Sequence, residues 1–134
     1  MSGLTIRRDV LIVACAVSAG VHAALTPEHF GEGAGAGGGF LAATILAGAL
    51  AVVLTRTPES TAAIAAAALV LAGLIFTYVL AVTTGVPVLH PEVEAVDGLA
   101  LATKAFEAVG IVAALELLRD GRTAAVAQPR GVTA

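Results

Sequence analysis

Two short stretches carry the side chains best suited to chemistry. His22 is followed by Pro27-Glu28-His29, and His90 by Pro91-Glu92, with Glu94 and Asp97 beyond. Each stretch runs from histidine to Pro-Glu and on to a further ligating group. Imidazole nitrogens and carboxylate oxygens suit zinc, copper and related metals. Three histidines and one carboxylate make a four-coordinate set without a thiolate. The expected ligands are therefore His22, Glu28, His29, His90 and Glu92. The carboxylates would complete the sphere or orient the imidazoles. The spacing lacks the regularity of a zinc finger. Glu28 and His29 are adjacent, so a regular helix cannot turn both to one ion, and a turn at Pro27 would relax that limit. A solvated acidic loop with scattered histidines is the simpler alternative.

A second set lies in an apolar run. Asp97, Lys104 and Glu107 stand at i, i+7 and i+10. At about 100° per residue they share one helix face roughly 80° wide. A lone charge deep in a bilayer costs on the order of 2.5–3.5 kcal/mol. Lys104 and Glu107, at i,i+3, can pair and offset most of that. Such a pair locks a bundle, relays protons or ions, or meets another subunit. Thr77 and Tyr78 are expected as hydrogen-bond donors to Glu107 or Asp97. Glu116 is expected to reach toward Arg119 or Arg122.

Composition dictates what positions these groups. The 134 residues fit one domain, 58% of them are hydrophobic, and only 13% are charged. Soluble domains run at about 45–50% and 25%. A soluble enzyme domain and a disordered tail are excluded. Seven Lys and Arg against ten Asp and Glu leave a net charge of −3, so no basic surface offers itself to nucleic acid. One cysteine forbids an intrachain disulfide. Cys15 fits a small core hydrophobe within an uncleaved first span better than a lipidation site.

Four apolar runs remain: 10–25, 40–54, 62–84 and 96–118. About 20 apolar residues cross a bilayer as a helix, and backbone in lipid must bond internally. The expected connections are 26–39, with its glycine-rich Gly31–Gly39 stretch, then 55–61 and 85–95. Ser60 or Thr61 is placed to cap the third helix. Short links imply antiparallel neighbours, hence an all-α up-down four-helix bundle with the first and fourth helices adjacent. Residues 119–134 form the expected tail. Arg7, Arg8, Arg56, Arg119, Arg122 and Arg130 all fall at one end of such a bundle. The acidic residues Glu28, Glu32, Glu92, Glu94 and Asp97 and the histidines fall toward the other. The positive-inside rule then makes both termini and the tail cytoplasmic in a bacterial plasma membrane. The Ala- and Gly-rich second and third runs suit close helix packing or an oligomer contact. Gly31–Gly39 lacks the Gly-Lys-Ser/Thr ending of a phosphate loop.

The stretch Gly20-Val21-His22-Ala23-Ala24-Leu25-Thr26-Pro27-Glu28-His29, with Gly85-Val86-Pro87, Val96-Asp97 and Thr103-Lys104-x-x-Glu107, resembles a group of small four-helix membrane proteins of actinobacteria. The resemblance spans residues 8–118. It implies the fold and topology above and carries no established activity or catalytic residues.

Three functions follow from these residues. One is a transition-metal binder, for copper or zinc, at the outer face. Another is a small redox subunit with haem b held by His22 and His90 as axial ligands. A third is a structural or accessory subunit of a membrane complex or homo-oligomer. No Ser-His-Asp or Cys-His arrangement has a supporting motif, so the reading leans away from an enzyme. A metal acting with Lys104 and Glu107 is the one acid–base route left open.

Overall fold

Helices form wherever the apolar runs demand them, and they extend further than those runs. The computed structural model describes residues 3–127. Arg130 and the rest of the expected tail beyond 127 lie outside the described residues. Among the described residues the chain forms four helices: α1 (Gly3–Glu32), α2 (Ala34–Arg56), α3 (Thr61–Thr83) and α4 (Gly98–Ala127). All four are long and apolar enough to cross a membrane.

The first connection departs from expectation. Residues 26–39 are not a loop. α1 runs through Pro27 to Glu32, and α2 begins at Ala34 after Gly33 alone. Pro27 lacks the N–H that would bond the Ala23 carbonyl, and the helix continues regardless. The glycines act by lacking a side chain, not by loosening the chain. A Cβ on Gly37 would overlap the Phe30 ring and backbone, and one on Gly35 would lie 2.6 Å from the Leu89 carbonyl oxygen. Bare backbone there lets α1, α2 and the segment before α4 close on one another. At the other end, residues 119–127 continue α4 where a tail was expected.

The remaining connections are held locally. Ser60 caps α3, its side chain accepting from the Ala63 N–H at 3.3 Å. After α3 the chain turns sharply at Gly85, whose φ of +75° suits glycine. Val86 and His90 then exchange two backbone hydrogen bonds of 2.7 and 2.8 Å. The Glu94 N–H donates to the Ala81 carbonyl at 2.9 Å, tying this segment back to α3.

α1 lies against both α2 and α4, and α3 against α4, so the expected contact of first and fourth helices is present. Of the consecutive pairs, α2 and α3 touch least. One end carries arginine contacts: Arg7 pairs with Glu116 at 2.8 Å and Asp120 at 2.5 Å, and Arg8 with Glu59 at 3.1 Å. Glu116 thus meets α1 and not Arg119 or Arg122, because α1 supplies a cation directly across from it. The core beside this end packs Leu11, Ala14, Cys15, Leu54, Ile64, Ala67, Leu71 and Ala114. Cys15 is a buried free thiol, as its apolar setting led one to expect.

Candidate functional site

The other half of the bundle is hollow. A cavity of about 320 Å³ opens among all four helices and the segment before α4. Its walls are mostly apolar, from Val21, Leu25, Ala43, Leu46 and Leu74. Its polar groups lie at two levels. His22, Tyr78, Thr103 and Lys104 line the deep part, and His29, His90, Glu94 and Asp97 line the mouth.

The deep level is a connected polar chain. Lys104 Nζ lies 2.7 Å from Glu107 Oε2, so the i,i+3 pair expected from spacing is present. Glu107 is 0% exposed and Lys104 only 14% by side chain. Ser18 Oγ, also buried, donates to Glu107 Oε1 at 2.7 Å. The ammonium sits 5.8 Å from the Tyr78 ring centroid, within cation–π range. A charged pair at this depth is tolerable because each charge has a partner and the carboxylate has a second donor. The two expected donors do otherwise. Thr77 Oγ1 donates to the Gly73 carbonyl at 2.9 Å, and Tyr78 Oη is buried without a hydrogen-bond partner among the described residues.

The histidines share one cavity and one local design. His22 Nδ1–H donates to the Ser18 carbonyl at 2.8 Å, and His29 Nδ1–H to the Leu25 carbonyl at 2.9 Å. His90 Nδ1–H donates to the Glu92 carbonyl at 3.0 Å. A carbonyl only accepts, so each bond puts the proton on Nδ1 and leaves Nε2 as the acceptor nitrogen. His22 and His29 are seven residues apart on a continuous helix and so share a face, about 10 Å apart along the axis. Phe40 of α2 fits against both. Its ring stacks on His29 with centroids 3.5 Å apart, and meets His22 at 5.3 Å and a 44° tilt.

The carboxylates near the histidines differ from those expected. Glu28 and Glu92 are exposed and line no part of the cavity. Glu32 approaches two imidazoles instead, 3.9 Å from His29 Nε2 and 3.6 Å from His90 Nε2. Glu94 lies 3.8 Å from His90 Nδ1. Because α1 stays helical past Pro27, Glu28 turns away and Glu32, at i+3 from His29, takes its place. Asp97 stands at the mouth and caps α4, its Oδ1 accepting from the Ala100 N–H at 2.9 Å. It is not joined to Lys104 and Glu107. His22 sits with Ser18 and Phe40, apart from the His29–Glu32–His90 group. Among the described residues, no group of three or more His, Cys, Asp or Glu side chains is disposed to hold a metal ion.

Ser18, Phe40 and Glu32 were the partners that sequence reading missed. Ser18 stands four residues before His22, so a helix places the two together. Glu32 stands at helical spacing from His29, a signal that counts only because α1 continues past Pro27, and no local signal marks Phe40. No family model, curated protein or solved structure matches the chain.

Proposed function

We propose that the chain is a multi-pass protein of the bacterial cytoplasmic membrane that binds a small, mostly apolar molecule in a pocket facing the extracytoplasmic side. The helices form an antiparallel up-down bundle with both termini cytoplasmic. The arginine contacts of α1 with α4 and with the α2–α3 connection support that orientation, since positive charge is retained on the cytoplasmic side. One observation carries the binding role: a cavity with apolar walls and a few converging polar groups, the composition of a small-molecule site. Its location favours binding over conduction. Below Lys104 and Glu107 the interior is filled by Leu11, Ala14, Cys15 and Leu71, which offer an ion no polar path.

Cysteine accessibility tests this reading. Thr103 lines the cavity and is only 4% exposed, whereas native Cys15 lies in the filled half. In intact cells, Thr103→Cys is expected to react with a membrane-impermeant methanethiosulfonate added outside, while the parent chain stays unmodified. A Thr103→Cys thiol that reacts only from the cytoplasmic face, or not at all, would overturn the pocket and its orientation.

A second reading is favoured by Glu32. It stands within 3.9 Å of two imidazoles whose Nε2 atoms are left as acceptors, which is how metal-ligating histidines are oriented. On this reading His29, Glu32 and His90 take the place of the set with Glu28 and Glu92, and they would have to close around copper or zinc, since as they stand they are not disposed to hold an ion. Titration with Zn²⁺ and Cu²⁺, followed by calorimetry, is expected to give one site that His90→Ala abolishes and Glu28→Ala leaves intact. Equal binding by the His90→Ala chain would remove the reading. The haem b alternative uses His22 and His90 and is read directly by a Soret band. An accessory role in a larger complex would show as tolerance of His22→Ala, His29→Ala and His90→Ala alike.

A further inference from the structure

The cavity's chemistry narrows what it takes and where it enters. We propose that the pocket holds a neutral, lipid-soluble carbonyl compound, which enters from the bilayer between the outer halves of α2 and α3 and accepts hydrogen bonds at Lys104 and Tyr78. The proposal rests on the binding-pocket reading above and adds ligand class and route.

Charge balance sets the ligand class. An ammonium has three donors, and among the described residues Lys104 has Glu107 as its one ion-pair partner. Tyr78 Oη, on the same cavity lining, is buried with no hydrogen-bond partner among the described residues. Against the remaining ammonium donors and the Tyr78 hydroxyl the deep end offers one acceptor, His22 Nε2, and so is short of acceptors. A pure hydrocarbon supplies none. A carboxylate supplies them but would set a second anion beside an ammonium already neutralised by Glu107, in a setting of low dielectric. A carbonyl oxygen supplies two lone pairs and no charge. The apolar walls suit the rest of such a molecule.

The helix packing sets the route. Among the described residues no side-chain hydrogen bond or ion pair joins α2 to α3, and these two make the least contact of any consecutive pair. On these two helices the cavity is lined partly by small residues, Gly39, Ala42 and Ala43 on α2 and Ala81 on α3. Several lining residues here are also open to the outside. Leu46 is 52% exposed, and Ala42 and Thr77 are exposed as well. In a membrane these surfaces face acyl chains, so the cavity communicates with lipid along its side. A solute already dissolved in the bilayer reaches it without crossing the acidic mouth.

The chain carries its own reporter, since Tyr78 is its single tyrosine and it has no tryptophan. The test uses the full chain in alkyl maltoside micelles, which contain no carbonyl group. The probes are 2-dodecanone, dodecanoate and dodecane, of matched length. The ketone is expected to change Tyr78 emission saturably, with apparent affinity about tenfold above that of either other probe. The paired substitution Lys104→Met with Glu107→Gln keeps the site uncharged and is expected to remove most of that preference. Ala42→Phe, at an exposed lining position on α2, is expected to slow both ketone entry and ketone release about tenfold. Equal affinity for all three probes, or a preference for dodecanoate, overturns the carbonyl assignment. Unchanged rates in Ala42→Phe overturn the lateral route. If no probe alters Tyr78 emission while Thr103→Cys is still labelled from outside, the cavity holds water and the ligand proposal falls. If Thr103→Cys is not labelled, the pocket reading itself falls.

Discussion

Lys104→Met is expected to destabilise the protein by about 3–5 kcal/mol, the loss that follows when one partner of a buried ion pair is removed. The reason lies with Glu107, which is wholly buried. It would keep only the Ser18 hydroxyl as a donor, at 2.7 Å. An unpaired carboxylate in that position loses far more than the pair contributes, since desolvation of the remaining charge is no longer offset. Removing both charges, as in Lys104→Met with Glu107→Leu, is expected to recover most of the loss, because a well-packed apolar pair stands near an ion pair in stability. Ser18→Ala should cost about 1.5–3 kcal/mol, the range for a hydrogen bond to a charged group. Thermal unfolding in detergent, followed by circular dichroism, measures these chains beside the parent and the single Glu107→Leu variant. The decisive quantity is the coupling between positions 104 and 107. If the double variant is as unstable as the sum of the two single ones, the pair is not the lock the geometry describes.

Gly110→Leu is expected to prevent correct packing of α4, with folded yield lost and not merely a lower melting temperature. Gly110 stands where α4 crosses α1 and α3. A Cβ there would lie 2.6 Å from Ala14 Cβ and 2.8 Å from Leu71 Cδ1. Leu71 can rotate aside, but Ala14 Cβ is fixed to the α1 backbone, so relief requires the helices to part. Gly110→Ala sets two effects against each other. Ala improves helix propensity by about 1 kcal/mol, while overpacking costs about 1–3 kcal/mol. Because the nearer clash is with a fixed atom, the second effect is expected to win by about 1 kcal/mol or more. Gly73→Ala is the control. Its Cβ would meet nothing within 4 Å, so propensity alone acts and stability should rise by roughly 0.5–1 kcal/mol. A Gly110→Ala chain as stable as Gly73→Ala would show that α1 and α4 are not in close contact there.

The buried ion pair and the close helix crossing at Gly110 are encoded differently. The Lys104–Glu107 pair could be read from spacing, since three residues along a helix bring two side chains to one face whatever surrounds them. The four helices were likewise legible, because long apolar runs leave the backbone no other way to satisfy its hydrogen bonds in lipid. The clustering of arginines away from histidines is a property of order along the chain once the helices alternate in direction. The meaning of the glycines was not legible. Gly31–Gly39 has the composition of a loop, yet Gly35 and Gly37 are helical and serve to admit Leu89 and Phe30. A missing side chain has no local signature that separates freedom from close approach, and only the opposing surface decides.

The candidate site divides along the same line. The residue types followed from sequence: three histidines, a set of carboxylates, one lysine. Which carboxylate meets which imidazole did not. That choice turns on the rotational phase of α1, and the phase depends on whether the helix survives Pro27. It does, so Glu32 approaches His29 and His90 while Glu28 faces out. The cavity was beyond sequence altogether, since it is the space left where α2 and α3 meet least, and no residue encodes a space. Order along the chain determined the membrane class, the helices and the buried pair, because each rests on contacts within a few residues. Tertiary packing alone decided the hollow, its aromatic shelf at Phe40 and the partners of each histidine, because those contacts join residues from separate helices.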